Sequence, residues 1–91
     1  MNATKLSRLN DYLLQLGDAT TGHDQDAHRI ARAIVASAKD GCPESVLISQ
    51  TARMMNTFRA GTEAWAKLGC LQSILVGRSS WAYVARCISG N

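Results

Sequence analysis

The chain has 91 residues, of which 46% are hydrophobic and 19% charged. That length supports a single domain over residues 1–91 with a limited core, since a chain of this size buries only about 60–65% of its unfolded surface, and the balance excludes a disordered tail. The net charge of +3 is a mild tilt and not the footprint of phosphate binding, and no apolar run reaches the roughly 20 residues that span a bilayer.

In chain order, Leu6, Leu9, Leu13 and Leu16 recur at helical spacing, which predicts a first helix closed by Gly17 in a left-handed conformation. The stretch from Asp18 to Gly22 reads as a loop. A second helix is expected from Asp24 or Asp26, either of which can cap it. Its buried stripe is Ala27, Ile30, Ala31, Ile34 and Ala38, and Gly41 ends it. The third restarts at Cys42-Pro43-Glu44, with proline at the first helical position. Leu47, Thr51, Met54 and Phe58 form one ridge, Ile48, Ala52 and Met55 lie beside it, and the helix should run to about Ala60 before Gly61 breaks it.

Beyond Gly61 two readings compete. In the helical one, Thr62 caps a stripe of Trp65, Leu68, Leu71 and Leu75 that tolerates Gly69, and Ser79 or Ser80 caps a last helix with Trp81, Val84, Ala85 and Ile88. In the other, Cys70 to Val76 and Trp81 to Ile88 pair as a C-terminal β-hairpin at 70–88, giving a winged-helix-like, mainly α fold. Alternation of polar and apolar residues is poor in both runs, so the helical template fits better. The expected fold class is all-α, a small bundle of about five helices.

The polar motifs are thin. His23-Asp24-Gln25-Asp26-Ala27-His28 is the densest cluster, but the two imidazoles would diverge by about 140° around a helix, so no metal site is expected. Cys42, Cys70 and Cys87 contain no C-x-x-C pair, which suits a reducing, cytoplasmic compartment with the thiols as small packing residues. The residues from Met1 to Asn10 lack the apolar core of a secretory signal. The chain also lacks a nucleophile elbow, a P-loop and a dinucleotide fingerprint. No catalytic residue, enzyme activity or cofactor is expected.

Recognition remains. Leu14, Val35, Met54, Met55, Trp65, Val76, Trp81 and Tyr83 supply more apolar side chains than one small core absorbs. Methionines adapt to irregular surfaces and tryptophans anchor interfaces. Met54, Met55, Trp65 and Trp81 are therefore the candidate partner interface of a non-enzymatic regulator or adaptor, expected to act through a protein partner and as a homodimer. The alternative is a DNA-binding regulator. Its basis is the stretch from Ile48 to Trp65, which can be compared with helix-turn-helix proteins: Ala52 falls where that family places a small residue, Met55 where it places an apolar one, and Asn56 at the turn. Thr57 and Thr62 depart from the pattern, and the comparison does not assign the family. If it held, Arg53, Arg59, Lys67 and Arg78 would contact phosphates.

Overall fold

Asn2 opens the first helix, its side-chain oxygen accepting the Lys5 backbone N–H at 2.8 Å, as an N-cap amide does for an otherwise unsatisfied donor. The computed structural model describes residues 2–17 and 22–77, which form four helices: α1 Ala3–Leu16, α2 Gly22–Lys39, α3 Glu44–Met55 and α4 Glu63–Val76. About five were expected. The fifth falls beyond residue 77, outside the described residues, as do Trp81, Tyr83, Arg78 and Cys87. The hairpin reading fails over its first strand, because 70–76 is the second half of α4. The apolar residues there follow helical spacing, and Gly77 closes the helix in a left-handed conformation (φ 77°) with its N–H on the Ser73 carbonyl.

On α1, Leu9 and Tyr12 are fully buried, and Leu6, Leu13 and Leu16 pack against the core from its edge. Gly17 does adopt a positive φ of 65°, but with ψ −153° it turns the chain away instead of winding one more left-handed residue. Its carbonyl is then taken by α2: Arg32 donates to it at 2.9 Å and His28 Nδ1 lies 3.3 Å away.

α2 begins at Gly22, earlier than the expected caps, so Asp24 and Asp26 lie inside the helix. Acids near a helix start favour the positive end of the dipole without capping it, and Asp26 instead pairs with Arg29 at 2.7 Å. The other end is a Schellman turn, with Gly41 N–H on Ala38 O and Cys42 N–H on Ser37 O. Ala27, Ala31 and Ala38 are buried, and these small side chains let neighbouring helices approach.

In α3, Pro43 is the N-cap and not the first helical residue. Leu47 and Thr51 are fully buried, the threonine satisfied by donating to Leu47 O at 2.7 Å. The helix stops at Met55, well before Ala60. The Thr57 hydroxyl donates to Met54 O at 2.6 Å, and such side-chain bonds divert carbonyls from the helical ladder. Residues 56–62 then form successive tight turns, with Thr57 N–H on Met54 O, Phe58 N–H on Met55 O and Thr62 N–H on Arg59 O.

Thr62 caps α4 as expected, accepting the Trp65 N–H at 3.3 Å. Leu68, Leu71 and Leu75 are fully buried, but Ala64 occupies the core where Trp65 was expected, leaving the indole half-buried. α4 packs on all three other helices, and so does α2, whereas α1 and α3 do not pack on each other among the described residues. Lys5 reaches across, donating to Leu75 O at 2.9 Å and pairing with Glu44 at 3.1 Å. Among the described residues, a methyl group at Gly69 would meet only Met55 Cε, at an ordinary 3.5 Å. Gly69→Ala should therefore raise stability by about 0.5–1 kcal/mol through helix propensity alone, read as a higher urea midpoint at unchanged m-value.

Candidate functional site

Among the predicted interface residues, the two methionines face different ways. Met55 lies against Gly69 of α4, whereas Met54 borders the cleft between α2 and α3. Trp65 is half-buried on α4, and Trp81 lies outside the described residues. Val35, expected as part of the apolar surplus, is fully buried. Val35 therefore leaves the surplus, while Leu14 stays exposed.

The α2/α3 cleft has an open volume of about 270 Å³ and is lined by Ile30, Ala33 and Ile34 from α2 and by Gln50, Arg53 and Met54 from α3. Volumes below about 300 Å³ suit a few anchoring side chains better than a drug-sized ligand. Val46, one helical turn before Gln50 on the same face, is 41% exposed, and Leu14 on α1 is 79% exposed; these are the large apolar side chains most open to solvent among the described residues. A larger depression of about 480 Å³ runs along α1, but its walls (Ala3, Thr4, Ser7, Arg8 and Asp11) come from that single helix. The α2/α3 cleft is the better-formed apolar site.

The predicted phosphate contacts occupy several elements. Arg53 sits at the α2/α3 cleft and Arg59 is exposed in the 56–62 connection, while Arg78 lies outside the described residues. Lys67 turns toward α1 and α2: its Nζ is 3.1 Å from His28 Nε2, and its carbonyl accepts the Tyr12 hydroxyl at 2.6 Å. Nor is the helix-turn-helix spacing present. Asn56 is right-handed (φ −69°, ψ −10°), and α4 opens at Glu63 after the whole 56–62 connection, whereas that motif joins its helices through a turn of about 3–4 residues. α4 also buries six of its residues in the core.

His28 behaves as a structural residue, 2% exposed and held between two helices. The lysine ammonium can only donate, so Nε2 accepts and Nδ1–H donates to Gly17 O, which fixes the neutral tautomer. Among the described residues no three His, Cys, Asp or Glu side chains come together as a metal site. Cys70 is buried and Cys42 half-buried, packed against the core. The Tyr12–Lys67–His28 chain was not anticipated from sequence; its only signal was a tyrosine within an otherwise leucine-rich face.

No helix among the described residues is long and apolar enough to cross a membrane. No protein-family model, curated protein or solved structure matches the chain.

Proposed function

We propose that this protein works without catalysis, as a small regulator or adaptor that binds protein through the α2/α3 face and does so as a homodimer. The observation that carries this reading is the apolar cleft between Ile30 and Met54, continued by exposed Val46 and edged by Arg53. An apolar surface rimmed by polar groups marks interaction sites more often than it occurs by accident, and a bundle this small gains core by pairing. The DNA-binding alternative has less in its favour, since residues 56–62 separate α3 from α4 where a helix-turn-helix has a short turn.

Light scattering on the full chain tests the proposal. A species near twice 9.8 kDa is expected at micromolar concentration, and Val46→Asp should return it to the monomer mass without loss of helical circular dichroism. A protein that stays monomeric up to millimolar concentration would overturn the reading.

A further inference from the structure

We infer that the occupant of the α2/α3 cleft is the outer face of α1 from a second copy of this chain, with Leu14 seated between Ile30 and Met54 and Asp11 paired with Arg53. This rests on the self-association proposed above and adds which element docks, and how.

Both halves of the match are present on one molecule. Leu14 is 79% exposed, and Asp11, three residues earlier, lies on the same side of the helix. Together they form an aliphatic knob with a carboxylate beside it. The cleft presents the complement: aliphatic walls from Ile30, Ile34 and Met54 and, as the one charged lining group among the described residues, the Arg53 guanidinium. Neither the Asp11 carboxylate nor the Arg53 guanidinium has a hydrogen-bond or ion-pair partner among the described residues. The lengths also agree. Asp11 and Leu14 are separated by about 4.5 Å along their helix axis, and each wall of the cleft, Ile30 to Ile34 and Gln50 to Met54, spans about 6 Å. A foreign acidic helix would satisfy the same cleft, but it would leave the Leu14–Asp11 face of α1 uncovered. A second copy supplies both surfaces, because every chain carries the Leu14–Asp11 face as well as the cleft.

Sedimentation velocity on the full-length chain tests this. Leu14→Asp should weaken dimerisation at least about tenfold, and Asp11→Arg and Arg53→Asp should each weaken it about five- to tenfold by opposing like charges. Combining Asp11→Arg with Arg53→Asp should restore the dimer to within about threefold of the original, because the pair is reformed with its signs exchanged. All three residues are exposed, and unchanged melting temperatures of the dissociated variants would show that folding is intact. If the protein dimerises and Val46→Asp disrupts it, but the three variants do not, the α1 docking is wrong and the α2/α3 interface stands. Single reversals that weaken the dimer without mutual rescue also overturn the pairing. A monomer at every concentration removes both proposals.

Discussion

Leu71→Ala is expected to lower the unfolding free energy by about 3–4 kcal/mol, the usual cost of removing a fully buried leucine and leaving its cavity. Leu71 is 0% exposed at the middle of α4, the helix that touches every other helix among the described residues. A chain of 91 residues has about 5–13 kcal/mol of stability in all, at roughly 0.05–0.15 kcal/mol per residue, so this single change removes a large fraction of it. Leu14→Ala, by contrast, touches a side chain that is 79% exposed and should change monomer stability by no more than about 0.5 kcal/mol. Urea unfolding followed by circular dichroism reads both effects as midpoint shifts. The comparison belongs at one protein concentration, because association with a second copy raises the midpoint by mass action. A loss below about 1 kcal/mol for Leu71→Ala would mean that α4 is not the centre of the core.

That central role was only partly legible in the sequence. The leucines at 68, 71 and 75 declare a helical stripe, and Gly41 and Gly77 take the positive φ that helix ends require. What spacing did not reveal is how the stripes share the interior. Ala64 displaced Trp65 from the core because α4 is approached from three sides, and a small residue fits where helices converge. Val35 reads as surplus on a helix drawn with one face, yet α2 is itself flanked by α1, α3 and α4, so its buried arc is wider. The end of α3 was missed for a local reason: the Thr57 hydroxyl competes for the Met54 carbonyl, whereas Gly61 is the louder signal. Long-range polar links leave no local trace at all. Lys5 reaching the Leu75 carbonyl, and Lys67 meeting His28, join residues far apart in sequence. The candidate site shares this fate. Met54 and Arg53 were named from sequence, but for rival interfaces; their place on the same cleft follows from the packing of α3 against α2.

Above pH 10 the wild-type protein should lose stability with a slope approaching about 1.4 kcal/mol per pH unit from Tyr12 alone. The phenol is fully buried and donates to the Lys67 carbonyl at 2.6 Å. Burial above all, with a smaller push from the neighbouring Cys70, raises its pKa well above the ordinary value of 10.0. In the unfolded chain the same phenol ionises near pH 10. Its contribution is therefore complete below that pH and shrinks as pH rises, because the unfolded state sheds a proton that the folded state retains. Tyr12→Phe isolates the effect from the lysines and cysteines that titrate in the same range. Near pH 7 the variant should be about 1–2 kcal/mol less stable, having lost the hydrogen bond and left the Lys67 carbonyl without that donor. On raising the pH past 10 the gap should narrow and then reverse, since phenylalanine carries no proton to hold. A stability difference that stays constant from pH 8 to about pH 11.5 would show that Tyr12 is open to solvent, and with it that α1 does not seal against α4.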